Sequence, residues 1–444
     1  MFDSRVYRRL QESALSAVVS HDRDAVRVRC PGALSAIMLE QLHPIGDQPG
    51  TPVREEVQVA IEPESAGRVG RGLDERAPLA GVKVVAVTGH IAGPFASMVL
   101  ADLGADVTAV EPPGGDEVRG SPPLFGDDLS APFAAFNRNK DGVRLDLGRD
   151  GGRDRLREMV IRADVFVENL RPGKLQSVGL GSDALMGPNP RLVYCSITPY
   201  GHKGPRSADP GFDAVIQAYS GLMDLTGESD GPPVRVGASV LDVGAGMWAV
   251  IGILCALRER DRTGRGGVVQ AALLTAAATY MMHHLASVEL CGEVPRRAGS
   301  KQHNRAPYEA IRTRDSHVMV AAGSQRLWRA FTDALGVSDL YDDPRFRSNA
   351  ERVRNRDALV AEVEKTTRQM HSIEVEDVLR EAGVPVSRVR TVGDFLADPQ
   401  LEAMGLLSEV PGLGGKRLPV APVYLDEWSP TIRRPPPAGQ SSAQ

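Results

Sequence analysis

From Leu79 onward, short apolar runs alternate with stretches of helical period. VKVVAV (82–87) is a β-branched run of the length of a strand buried on both faces. Pro94 stands where the first turn of a helix would begin. FASMVLADLG (95–104) then keeps helical spacing until Gly104, a natural C-cap. DVTAVE (106–111), DVFVEN (164–169) and RLVYCSI (191–197) read as further strands, with the helical segment GGRDRLREMVIRA (151–163) among them. Strands alternating with helices predict an α/β domain with a twisted, mostly parallel sheet. Its ligand would lie off the carboxyl ends of the strands. After Gly211 the pattern turns helical, over about 211–225, 239–260 and 268–290. CGEVPRRAGSKQHNRAP (291–307) marks a boundary. PYEAIRTRDSHVMVAAG (307–323) predicts two strands, and helices follow to about residue 382, the pattern of a smaller α+β domain.

The ends differ from this core. Residues 1–76 read as an N-terminal extension and linker. RVYRRLQESALSAVV (5–19) has Val6, Leu10, Leu15 and Val18 near one helical face, and DQPGTPVREE and EPESAGRVGRGLDERAP are rich in Gly, Pro and charge. The predicted organisation is 77–290 for the large domain, 291–398 for the small one and 399–430 for a return to the large domain. The Pro-rich segment 431–444 is expected to be disordered. The apolar run Val243–Leu257, bounded by Asp242 and Arg258, is shorter than the roughly 18–20 residues a bilayer requires and predicts a buried helix. MFDSRVYRRLQES mixes acids and bases around no apolar stretch, so it does not read as a secretory signal.

Composition narrows the function classes. At 444 residues, with 42% hydrophobic and 25% charged positions, the chain can bury two cores without staples. A net charge of −5 argues against a broad nucleic-acid footprint. Cys30, Cys195, Cys255 and Cys291 form no C-x-x-C pair, which argues against a zinc site or a disulfide framework and suits a reducing cytoplasm. No metal, permanently bound cofactor, nucleic-acid partner or membrane partner is expected.

The candidate chemistry begins at VTGHIAGP (87–94), a strand–turn–helix unit with the acid Glu111 at the end of the next strand. Gly89 and Gly93 are four apart and no G-x-G-x-x-G occurs, so NAD is not indicated, although a helix start here favours an anionic ligand. FNRNK (136–140) and VENLRPGKLQSVGLG (167–181) are, taken alone, loop chemistry. To these are added YGHKGP (200–205), ADPGFDAVIQAYSGLMDLTG (208–227) and LDVGAGMWAVIGILCAL (241–257). The order continues through PYEAIRTRD, DDPRFRSNAERVRNRDAL, GVPVSRVRTVGDFLADPQ and MGLLSEV. In this ordered set the chain resembles the class III CoA-transferases of the CaiB/BaiF group over about Leu79–Val423. That group includes carnitine and formyl-CoA transferases and the α-methylacyl-CoA racemases.

The resemblance implies a Rossmann-like large domain, a small α+β domain and an interlocked homodimer. It implies acyl-CoA and a small carboxylic acid as substrates, with Asp213 of GFDAVIQA as the nucleophile. It also implies that His90, Ile91, Asn169 and Leu170 line the CoA cleft together with nearby cations. The chain departs from the group's pattern where a basic residue is usual at Ser177 and a lysine near Gly148; Lys174 and Arg149 are the substitutes at hand, and Arg119 is a further candidate. The chemistry suits an aspartate: a carboxylate attacks the activated thioester, and an aspartyl anhydride and aspartyl-CoA thioester conserve its energy without ATP. Without its surroundings, Asp213 reads as a helix N-cap. By the resemblance, Asp242 of LDVGAG matches the acid that serves the second function of the racemases, an acid the transferases carry too; it reads equally as the N-cap of the next helix. Related racemases carry histidine where Phe212 stands, and phenylalanine accepts no proton. CoA transfer between a short acyl-CoA and an organic acid is therefore the expected activity, with racemase-like isomerisation and non-catalytic CoA binding as alternatives.

Overall fold

The computed structural model describes residues 18–22, 25–29, 76–125, 129–425 and 428–437. The chain divides into two compact units, Met1–Gly72 and Leu73–Gln444. In the first, β1 (Val18–Asp22) and β2 (Ala25–Arg29) form an antiparallel hairpin with Val18 opposite Arg29. The helix expected over 5–19 falls outside the described residues, apart from Val18 and Val19, which open β1. The expected linker also lies outside them, except for its last residues, 76–78.

The second unit is built on a six-stranded, fully parallel sheet. In chain order come β3 (Lys83–Val87), α1 (Ala92–Asp102), β4 (Asp106–Glu111), α2 (Ala131–Asn137), β5 (Asp141–Arg144) and α3 (Asp150–Ile161). They are followed by β6 (Val165–Glu168), β7 (Val193–Thr198), α4 (Asp213–Ser220), α5 (Val240–Thr263), β8 (Val268–Ala272), α6 (Leu273–Tyr280) and α7 (Met282–Cys291). The strand order is β8-β7-β6-β3-β4-β5. Two-sided burial explains the unbroken apolar strands. Val84 and Ala86 face a core shared with α1, α5 and α6, while Val85 and Val87 face a second core with Leu156 and Val160 of α3. The edge strand β5 is half-buried throughout, in keeping with its polar sequence DGVR.

Helix α5 lies against α1, and Gly246 permits the approach: a Cβ there would stand 2.9 Å from the Ala92 carbonyl oxygen. At 24 residues α5 outruns the 15-residue stretch Val243–Leu257, and by length and composition alone it is long and apolar enough to cross a membrane. Its Leu241, Ala245, Ala249, Ile253 and Leu257 are nevertheless buried in the main core, as expected of a core helix. Its other face leaves Met247, Trp248, Ile251 and Leu254 exposed.

The smaller lobe has its own core. β9 (Tyr308–Arg312), β10 (His317–Ala321) and β11 (Val386–Arg388) form an antiparallel sheet in that order. Helices α8 (Gln325–Ala334), α9 (Arg356–Thr367) and α10 (Ser372–Glu381) lie between β10 and β11 in the chain, and the core is filled by Trp328, Phe331, Phe346, Leu359 and Val363. The motif DDPRFRSNAERVRNRDAL is structural here. Buried Arg352 donates to the carbonyls of Ala306, Gly323 and Phe346, and Arg356 pairs with buried Glu309 at 2.9 Å.

After β12 (Leu407–Glu409) and β13 (Arg417–Pro419) the chain returns to the large domain, where Trp428 enters the main core. The expected disordered tail needs correction over residues 431–437. Ile432 is buried, and the Thr431 carbonyl accepts from Asn139 Nδ2 at 2.8 Å. The Arg433 N–H donates to Asn139 Oδ1, and the carbonyls of Pro436 and Pro437 accept from Arg119. Pro435 and Pro436 are buried with no N–H to satisfy, so a proline-rich strap fits where another sequence would strand donors.

Candidate active site

The chain runs outward from β3 through β4 to β5, then returns to the other side of β3 with β6, β7 and β8. The connections after β3 and β6 thus diverge, opening a crevice off the carboxyl ends of this pair. Thr88–Ile91 and Asn169–Leu170 stand there. The Gly89 N–H donates to Asn169 Oδ1, and Asn169 Nδ2 donates back to the Gly89 carbonyl, each at 2.9 Å. One side-chain amide therefore locks two loops from strands far apart in sequence. Below it, buried Glu168 accepts from the Leu170 N–H at 2.9 Å and from Ser196 Oγ, and burial pushes its carboxyl above the ordinary value.

His90 adopts φ +60°, a conformation uncommon outside glycine, and its ring lies edge-to-face on Phe212 with centroids 5.1 Å apart. Phe212 is 61% exposed and immediately precedes Asp213. The crevice therefore joins His90, Ile91, Asn169 and Leu170 to the start of α4.

The cations distribute differently. Arg119 grips Glu111 with two bonds of 2.8 and 2.6 Å, lies 3.8 Å over the Phe133 ring and donates to the C-terminal strap, so its guanidinium is committed to the fold. Against the upward pull of burial, Arg119 holds the Glu111 carboxyl below its usual value; this acid is occupied rather than open to a ribose. Arg149 is 85% exposed beside Asp146 at the start of α3, and Lys174 is exposed at the first position of the short helix Lys174–Ser177.

Sequence reasoning missed the role of FNRNK. Arg138 is buried against Asp102 at 2.6 Å, Asn139 bonds the other Asp102 oxygen at 2.7 Å, and Lys140 Nζ donates to the Pro94 carbonyl and Asn137 Oδ1. Burial pushes the Lys140 amine down to about 7. The motif ties α1, the start of β5 and the C-terminal strap together. Three consecutive long polar residues directly before a strand were the available signal. His283 and His284 lie with ring centroids 3.9 Å apart on α7, which has no buried residues. Among the described residues no cluster of His, Cys, Asp and Glu could hold a metal ion.

Asp213 is the first residue of α4 and is 7% exposed. It does not cap its own helix. Its Oδ2 accepts from the N–H groups of Leu241 (2.7 Å) and Asp242 (3.2 Å), in the first turn of α5, and its Oδ1 accepts from Gln217 Nε2. Ser239 makes no side-chain cap for α5, so Asp213 supplies that anion from across the site. Both oxygens of the expected nucleophile are thereby engaged. Asp242 is the third residue of α5, half-buried, and its carboxyl accepts no hydrogen bond from the described residues. Burial, followed by the negative charge of Asp213, pushes it up to about 7. Two acids with divergent environments thus sit side by side at one helix start.

The family model for CoA-transferase family III matches residues 79–442. The chain belongs to CoA-transferase family III. It is 35% identical over 362 residues to the acetyl-CoA:oxalate CoA-transferase of Acetobacter aceti, covering 81% of this chain and 92% of that one. It is 34% identical over 380 residues to the succinyl-CoA:glutarate CoA-transferase of Homo sapiens, covering 84% and 85%. A CaiB/BaiF family protein from Brucella suis superposes with a TM-score of 0.75 at 35% identity, covering 82% of this chain and 96% of that chain. The family III enzyme thus has the fold that its ordered motifs implied, a parallel α/β domain carrying a smaller α+β lobe, and it is a CoA-transferase.

Proposed function

We propose that this enzyme moves CoA from a short acyl-CoA to a small organic acid, with Asp242 as the attacking carboxylate and Asp213 as its fixed neighbour. The observation that carries this reading is the contrast in hydrogen bonding. Attack by Asp213 would give up the Gln217 bond if made through Oδ1, or the Leu241 and Asp242 amides that cap α5 if made through Oδ2, whereas attack by Asp242 breaks none among the described residues. The nucleophilic role expected at Asp213 therefore moves to Asp242. Burial, with the charge of Asp213 added to it, keeps Asp242 basic, and a more basic carboxylate is the stronger nucleophile once ionised.

The steps balance without a co-reactant. Asp242 attacks the thioester carbonyl, the C–S bond breaks, and CoA thiolate leaves a mixed anhydride. The thiolate attacks the aspartyl carbonyl of that anhydride, releasing the donor acid as its carboxylate and leaving an aspartyl-CoA thioester. The acceptor carboxylate attacks this thioester, forming a second anhydride and freeing the thiolate. The thiolate then takes the new acyl group and restores the Asp242 carboxylate.

The acids named for the relatives, oxalate and glutarate, support a small dicarboxylic acceptor. The loops at Gly89–Ile91 and Asn169–Leu170 form the CoA cleft in this reading, with Lys174 and Arg149 as rim cations for its phosphates. Exposed Val215 and Tyr219 on α4, Trp248 and Ile251 on α5, and Leu285 and Val288 on α7 support the interlocked homodimer. Cys195, Cys255 and Cys291 are free thiols, which supports a cytoplasmic enzyme.

The test is transfer itself: acetyl-CoA and succinyl-CoA are each incubated with a panel of mono- and dicarboxylic acids, and new CoA esters are resolved by chromatography. Transfer to at least one acid is expected. Tight CoA binding with no transfer from any donor would leave a binding protein. Deuterium uptake at the α-carbon of a branched acyl-CoA would instead establish an isomerase, for which Phe212 supplies no base.

A further inference from the structure

Helix α4 carries its polarity inside out. Phe212, Val215 and Tyr219 are exposed, while Asp213 and Gln217, one turn apart, face inward with Ile216. Gln217 is fully buried (0% exposed), an expensive place for an amide unless both ends are bonded. Both are. Nε2 donates to Asp213 Oδ1, and Oε1 accepts from the Val236 N–H at 2.9 Å. The orientation is fixed by chemistry, because a carboxylate oxygen only accepts and a peptide N–H only donates.

Val236 lies six residues before Asp242, on the segment that runs into α5. That segment is held at two places: Val236 by Gln217, and the Leu241–Asp242 amides by Asp213, itself held by Gln217. We propose that Gln217 is a positioning residue of the reaction centre, its amide joining Asp213 to the 236–242 segment and so setting where Asp242 stands. The inference rests on Asp242 as the attacking group. Without the amide, Asp213 keeps a bare buried oxygen and the Val236 N–H loses its acceptor. The segment then gains freedom where an error of about 1 Å costs about 100-fold in rate. Gln217 belongs to α4 and the loops of the crevice to β3 and β6, so its loss acts on the chemical step rather than on acyl-CoA binding.

Two variants test this. Gln217→Met keeps the volume and removes both bonds; Gln217→Glu keeps the shape and an acceptor for Val236 but replaces the donor to Asp213. In each, kcat should fall about 10- to 100-fold, KM for acyl-CoA should stay within about twofold, and the single-turnover rate of covalent adduct formation should fall by the same factor as kcat. Equal thermal shifts on adding CoA establish that the variants are folded. If Gln217→Met yields no folded protein, Gln217→Glu carries the same expectation. Wild-type kcat in a folded variant, or a loss confined to KM, overturns the proposal. Mapping the adduct in the unmutated enzyme separates the two readings. An adduct on Asp242 together with unchanged variant kcat sinks Gln217 alone. An adduct on Asp213 sinks the attack assignment and, with it, Gln217 as the residue that aims Asp242.

Discussion

Replacing Asp242 by asparagine should make the protein more stable while abolishing its chemistry. In the folded protein, burial and the neighbouring charge of Asp213 push the Asp242 carboxyl from 3.8 to about 7. Each tenfold change in proton affinity is worth about 1.4 kcal/mol, so holding this carboxylate ionised costs the fold about 4 kcal/mol. Residual solvent contact of the half-buried side chain reduces the figure towards about 2 kcal/mol. The sign follows from the raised value: below about pH 4 both folded and unfolded chains hold the proton and there is no penalty. Stability is lost as pH rises, and the full penalty is reached once the folded protein also ionises, above about pH 7. Asparagine has the same shape and never ionises. Urea unfolding at fixed protein concentration should therefore show Asp242→Asn about 2–4 kcal/mol more stable than wild type at pH 8, with the gap falling by about one third to two thirds at pH 5. A variant no more stable at pH 8, or a gap that does not shrink at pH 5, would refute the reasoning. A residue that destabilises its own fold is the signature of a site retained for chemistry.

Three further outcomes follow from the same structure. Asn169→Ala removes both bonds to the Gly89 peptide, so KM for acyl-CoA in steady-state assays should rise about 10-fold, with kcat reduced less. Arg138→Ala leaves Asp102 buried without its ionic partner, and urea unfolding should show a loss of about 3–5 kcal/mol. Lys140→Met should flatten a pH dependence: burial lowers this amine from 10.5 to about 7, so wild-type stability rises with pH across that window as the penalty of burying the charge is relieved. Equal slopes in the two proteins between pH 7 and pH 10 would contradict that assignment.

The alternation of β-branched runs with helical segments carried the α/β architecture, because strands buried on both faces leave an unmistakable pattern in VKVVAV and RLVYCSI. Two strands of the smaller sheet were equally visible in PYEAIRTRD and SHVMVAAG, while its third, the short Val386–Arg388, was not. What the chain hid were partnerships distant in sequence. Nothing local to Asp213 indicates that the N–H groups it meets lie 28 and 29 residues away, at another helix start. The loop reading of FNRNK failed for the same reason, since Asp102, Pro94 and Thr431 complete its bonds. Proline content suggested a loose tail, whereas residues 431, 436 and 437 bond through their carbonyls, which proline has, and Arg433 supplies the donors. Arg119 was legible as a conspicuous cation, and its Glu111 partner, eight residues away, was within reach of a charge-pair argument.

The division of labour between the two acids is tested most directly by trapping the acyl intermediate. The enzyme is incubated with acetyl-CoA or succinyl-CoA, quenched with hydroxylamine, digested and sequenced by mass spectrometry. A hydroxamate on Asp242, present in wild type and absent from Asp242→Asn, is the result predicted here. A hydroxamate on Asp213 with Asp242 unmodified would contradict the assignment and return the attack to the buried acid.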